Sequence, residues 1–130
     1  MTDLAAKVEA AEGPTFELMC DAFDLCFPKP PRIWTEDYNA WADEYTQWQA
    51  RASAFSLFLD VGAWENAAMM LVPEGWFWRV GHSTLYAGWA HLNRKHPDFC
   101  NREDEHSAQA ATPALALTAA SLRARSENPA

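Results

Sequence analysis

In the first third of the chain, apolar residues return every three or four positions, which is the spacing of one helix face. Leu4, Val8 and Ala11 share such a face, with Thr2 as the expected cap, Asp3 at the positive end of the dipole and Gly13-Pro14 as the stop. A second stripe of Phe16, Met19, Cys20, Phe23 and Phe27 begins after Thr15 and halts at Pro28, Pro30 and Pro31. The most regular pattern follows. Trp34, Tyr38, Trp41, Tyr45, Trp48, Ala52 and Phe55 alternate steps of four and three, which predicts one long helix, capped by Thr35, with an aromatic seam. Asp60-Val61-Gly62 breaks it, and a short helix is expected over Ala63 to Leu71 before Pro73.

Past Pro73-Glu74-Gly75 the period changes to two. Trp76 to Val80 reads as a strand, Gly81-His82-Ser83 as a turn, and Leu85 to Leu92 as the returning strand of a hairpin. Large apolar residues fall on both of its faces, so a cover of helices on both sides is expected. Asn93 to Gln109 is charge-rich without period and reads as a surface loop. Thr112-Pro113 then opens a last helix with Leu115, Ala119 and Leu122 as its buried stripe, and with Arg123 and Arg125 at its negative end. The class implied is α+β: a small antiparallel sheet with at least one hairpin, layered between helices, one of them long and aromatic-rich. Residues 1–126 make one domain, with 127–130 as a frayed tail.

Composition narrows the function. Ten Lys and Arg against 18 Asp and Glu give a net charge of −8, which disfavours direct contact with nucleic acid or an anionic membrane and leaves proteins with a basic surface as partners. Residues 1–65 hold four basic and twelve acidic side chains, whereas 66–130 hold six of each, so the whole excess lies in the first half. There is no leader-like start and no run long enough to span a membrane. Cys20, Cys26 and Cys100 make an odd count without framework spacing, which suits thiols in a reducing cytoplasm.

Two segments, Asn66-Ala-Ala-Met-Met-Leu-Val-Pro-Glu-Gly-Trp76 and Ala111-Thr-Pro-Ala-Leu-Ala-Leu-Thr-Ala-Ala-Ser-Leu-Arg-Ala-Arg125, stand beside an N-terminal helix ending Val8-Glu-Ala-Ala-Glu-Gly-Pro14. Together they resemble the small phage and prophage proteins of the phage ABA sandwich domain family. The resemblance implies a helix–sheet–helix layering, a phage genome and the cytoplasm of the bacterial host. It carries no catalytic residue and no cofactor.

Four groupings hold candidate chemistry. Glu17, Asp21 and Asp24 recur along one face of the second helix without a basic neighbour, and Asp43 and Glu44 on the next helix extend the set. They form either a solvated face or a docking surface for a basic host or phage protein. Trp76, Trp78 and Trp89 on adjacent strands, with Arg79, His82 and Tyr86 near the turn, suggest an aromatic pocket for a nucleotide signal; the plain alternative is a core. His91, His96, Cys100 and His106 fall at gaps that metal ligands can have, yet they lack a Cys-x-x-Cys half, and the reading taken is that His91 belongs to the hairpin and the others to a solvated loop, with no metal bound. The Trp34–Phe55 seam, if exposed, is a surface for a homodimer. With no phosphate loop, nucleophile elbow or zinc-protease motif, the expected role is that of a phage accessory protein that binds rather than catalyses, such as an inhibitor of a bacterial defence or regulatory protein. The alternative is sequestration of a small nucleotide signal.

Overall fold

The computed structural model describes residues 1–32 and 37–127. In chain order the elements are α1 (Thr2–Ala10), α2 (Phe16–Cys26), α3 (Tyr38–Asp60), α4 (Trp64–Met69), β1 (Phe77–Gly81), β2 (Gly88–Lys95), β3 (Glu103–Ala110) and α5 (Pro113–Glu127). The class is α+β, with a three-stranded antiparallel meander in the order β1-β2-β3. Among the described residues no helix is long and apolar enough to cross a membrane.

Helix α5 organises the rest. Its sequence is mostly alanine and leucine, and ten of its fifteen residues are buried, so the expected stripe is in fact most of its circumference. Small side chains let neighbours approach closely: the sheet lies on one side, and α1, α4 and α2 cover the others. Thr112 starts the helix as expected, its Oγ1 accepting from Leu115 N at 3.2 Å. Within the helix, Thr118 Oγ1 donates to Ala114 O at 2.8 Å, which satisfies a buried hydroxyl locally.

The earlier helices follow their periodicities with small shifts. Met1, not Thr2, occupies the cap position of α1, because Ala5 N already bonds to Met1 O at 2.9 Å and places Thr2 inside the first turn. Thr15 caps α2 through Leu18 N, and its buried face is Leu18, Met19, Ala22 and Phe23; Phe16, at the first turn, stays 52% exposed. Asp37 caps α3 by accepting from Asn39 N at 2.9 Å. The expected cap Thr35 and the first seam residue Trp34 lie outside the described residues, as do 128–130 of the expected tail.

The sheet is larger than the hairpin read from the sequence. Leu85 and Tyr86 belong to the turn, where Ser83 Oγ accepts from both of their backbone amides, so the returning strand starts at Gly88. The expected surface loop from Asn93 to Gln109 is mostly strand: β2 runs on to Lys95 and β3 pairs with it from Glu103 to Ala110. Its signal was hidden because β3 is an edge strand bearing Glu103, Asp104 and Glu105, and its buried alternates include a histidine, His106, with Ala108. Cross-strand rows define two faces. Trp78–Leu92–His106 and Val80–Ala90–Ala108 face α5, while Phe77–Asn93–Glu105 and Arg79–His91–Ser107 lie on the other side. The cover is thus one-sided: Phe77 is 71% exposed, and Arg79, Glu105 and Ser107 are exposed with it.

Where β2 begins, its backbone presses on the start of α5. A Cβ at Gly88 would lie 2.2 Å from the Thr112 carbonyl carbon, a backbone atom that has no side-chain freedom to yield. Gly88→Ala is therefore expected to cost about 3 kcal/mol, as overpacking of a tight contact does. Gly13→Ala, which meets nothing within 4 Å, should change stability by less than about 0.5 kcal/mol. Urea unfolding midpoints check both, and equal midpoints for the two variants would refute the close approach.

Candidate functional site

The stop of α2 at three prolines has a structural consequence. Phe27 to Arg32 runs as a strap along α3, and two of its carbonyls, those of Phe27 and Pro30, accept from the indoles of the seam. Trp48 Nε1 donates to Phe27 O at 2.8 Å and Trp41 Nε1 to Pro30 O at 3.4 Å. Tyr38, Trp41, Tyr45 and Trp48 form a ladder with ring centroids 5.8, 5.2 and 5.7 Å apart. The Lys29 ammonium lies 5.6 and 5.8 Å from the Tyr45 and Trp48 rings, and the Arg32 guanidinium 5.4 and 5.3 Å from those of Tyr38 and Trp41. Such contacts contribute about 0.5–1 kcal/mol each at exposed sites, less than the roughly 1.5–3 kcal/mol of fully burying one large apolar side chain. The seam is accordingly anchored at Phe55 and Leu59, which are buried, and clasped further up. From Trp41 to Trp48, the stripe considered for a homodimer is half-covered by the chain's own strap, and at Phe55 it is buried in the core.

Phe27 begins the strap and also forms a wall of a cleft between α3, α5 and the sheet. The Arg51 guanidinium of α3 lies 4.4 Å from its ring centroid and that of Arg125, in the last turn of α5, 4.8 Å. Arg94, near the end of β2, sits 4.8 Å from the ring of Trp76, whose other neighbour is His106 at 5.7 Å. These three arginines line a cleft of about 520 Å³, with Met70, Val72 and Pro73 as an apolar wall and Glu74 among its lining residues. Arg125 Nε donates to Leu71 O at 2.9 Å, and Arg94 Nε to Asp104 Oδ2 at 3.3 Å. Among the described residues, neither Arg51 nor Arg125 is paired with a carboxylate. Aromatic faces and backbone therefore hold the planar forks in place while most of their N–H donors stay unspent.

The residues singled out from the sequence are dispersed. Glu17 and Asp21 line a cleft of about 560 Å³ between α1 and α2, together with Glu12 and Lys7; Asp24 is exposed further along α2, and Asp43 and Glu44 are exposed on α3. The aromatic pocket does not assemble. Trp76 is 5% exposed and Trp78 lies on the α5-facing side, whereas the register sends Trp89 with Arg79 to the opposite face, and His82 and Tyr86 sit in the exposed turn. The histidines separate by the same parity. His91 bonds Ser107 Oγ through Nδ1 at 2.8 Å on the open face, His106 is buried on the other and pairs with Glu127 at 3.2 Å, and His96 and Cys100 belong to the β2–β3 turn. Among the described residues no group of three His, Cys, Asp or Glu gathers as a metal site would require.

No family model matches the chain, and no curated protein or solved structure matches it. The cleft residues Phe27, Arg51 and Arg94 were not visible as a set, because they stand far apart in sequence. Arg51 alone left a trace, as the single basic residue of α3.

Cys26 borders this region. Burial pushes its thiol up from the ordinary 9.0 to about 11, and the nearby Arg125 charge offsets only part of that. The unfolded thiol thus ionises first, so the stability linked to Cys26 is complete below pH 9 and is lost as pH rises through about 11. With a thiol-specific disulfide reagent at pH 8, exposed Cys100 should react first and Cys26 last. Arg125→Ala should slow Cys26 further, since a lowering charge is removed; faster labelling would contradict the assignment.

Proposed function

We propose that this chain is a non-catalytic binding protein and that its working site is the arginine cleft, which captures a small anionic ligand. The observation that carries this reading is the convergence of Arg51, Arg94 and Arg125, from three different elements, on one cleft of a protein whose net charge is −8. Gathering like charges costs free energy that a bound anion returns, and guanidiniums already fixed on ring faces lose little freedom when it arrives. The volume lies within the usual range of small-molecule sites. In the phage setting implied by the sequence resemblance, withholding such a ligand from a host protein is a role that needs no catalytic group. This reading keeps the sequestration alternative and moves it from the hairpin tryptophans to the cleft.

Thermal unfolding in the presence of sulfate, phosphate and small carboxylates tests it. A ligand at a hundred times its Kd stabilises by about 2.7 kcal/mol, a shift of several degrees for a chain of this size. Arg51→Ala should abolish most of the shift, because Arg51 is exposed and its loss leaves no buried partner. Arg79→Ala, on the open face of the sheet, should keep the shift. Identical behaviour of the two variants refutes the site.

A second reading, docking of a basic protein segment, is favoured by the α1–α2 cleft, where Glu12, Glu17 and Asp21 line an apolar floor that includes Ala10, Ala11 and Leu18. Glu17→Lys combined with Asp21→Lys is expected to weaken binding of a labelled lysine-rich peptide by about tenfold, equal to about 1.4 kcal/mol. Fluorescence anisotropy measures it, and unchanged affinity removes this reading.

A further inference from the structure

Resting on the cleft as the binding site, we infer that the captured anion is the dianionic phosphoryl group of a small phosphate monoester. Donor bookkeeping points there first. A guanidinium carries five N–H groups. Arg94 and Arg125 each commit only Nε, to Asp104 and to the Leu71 carbonyl, and Arg51 makes no hydrogen bond among the described residues. A carboxylate offers two oxygens whose lone pairs lie in one plane, so forks arriving from three directions cannot all align with it. A phosphoryl group offers three terminal oxygens in a tetrahedral spread, which suits forks brought from a helix middle, a strand end and a helix terminus.

Charge bookkeeping agrees. Asp104 compensates Arg94, which leaves Arg51 and Arg125 as two cations unpaired by any carboxylate among the described residues, and a phosphate monoester carries close to two negative charges at neutral pH. Glu74, also in the lining, is exposed as Arg51 is, so solvent screens both alike, and the cleft stays net positive with Glu74 and Asp104 counted against the three arginines.

The rings define what is not read. Phe27 already carries guanidiniums at 4.4 and 4.8 Å, and Trp76 is buried between Arg94 and His106, so neither offers a face for stacking a nucleobase. Recognition therefore centres on the phosphoryl head. The organic part lies along Met70, Val72 and Pro73, an apolar wall that a bare phosphate ion would not use, in a cleft of about 520 Å³.

Calorimetric titration of the intact chain with phenyl phosphate, phenyl sulfate, benzoate and inorganic phosphate tests the assignment. Phenyl phosphate is expected to bind at least tenfold more tightly than each of the other three at pH 7.5. Its affinity should fall as pH drops from 7 to 5, because the second phosphate proton returns near pH 6; phenyl sulfate should not follow. Arg51→Lys and Arg125→Lys keep the charge but lose the fork, and each should weaken phenyl phosphate about tenfold or more. Arg79→Lys serves as the control, and circular dichroism verifies folding of every variant. Equal binding of phenyl sulfate or benzoate would overturn the phosphoryl assignment while leaving anion capture standing. Equal binding of inorganic phosphate would overturn the monoester. Binding of none of the four would overturn this inference, and with no shift from any anion in the unfolding assay the parent reading falls too.

Discussion

A helix without a solvent face sets the terms for this molecule. α5 buries Leu115, Leu117 and Leu122 together with a nearly continuous series of alanines, so every direction around it has to be filled by another element. Leaving its apolar surface wet would forfeit about 25 cal/mol for each Å² uncovered. Three short strands and parts of α1, α2 and α4 supply the cover, and their placement follows from where α5 needs them. Among the described residues, the one buried hydroxyl without a partner, Ser121 Oγ, sits on this helix. It marks how completely the surroundings are committed to apolar packing.

Once α5 is covered, the remaining elements have surfaces to spare. The sheet is used on one face only, so its second face carries charged and aromatic residues into solvent. Helix α3 reaches beyond the core, and its upper aromatic ladder is covered by the proline strap instead of by another layer. The cleft arises where these leftovers meet: the strap's first residue, the middle of α3, the link from α4 to β1, the end of β2 and the last turn of α5. In a chain with an excess of acidic groups, arginines sharing this junction are held by ring faces and a backbone carbonyl more than by carboxylates. That arrangement leaves most of their N–H donors uncommitted among the described residues.

Much of the fold was legible in the chain. Threonines at 15 and 112 announced helix starts, prolines at 28, 30 and 31 announced a stop, and the alternation of three and four from Tyr38 to Phe55 announced the long helix. These signals are local, because a cap or a stop acts on backbone groups within four residues. β3 was not legible. Its alternation is carried by His106 and Ala108 between acidic residues, and an edge strand protected by charge resembles a loop when read in one dimension. The site suffered similarly. Sequence reasoning favoured clusters of like residues, such as the acidic face and the hairpin tryptophans, whereas the cleft is assembled from single residues at 27, 51, 76, 94 and 125.

The chain by itself determined the helices, the starts at Thr15 and Thr112, the aromatic seam, the acidic balance and the α+β class, since each depends on a residue's own preferences or on neighbours within one or two turns. Tertiary structure alone decided which face of the sheet is covered, what lies on the aromatic seam and which arginines meet. Strand parity shows why. Trp76 and Trp78 share a face with His106, while Trp89 and His91 take the other, and this assignment depends on a register fixed by strands far apart in sequence. Convergence of guanidiniums is a property of packing, which the order of residues does not display.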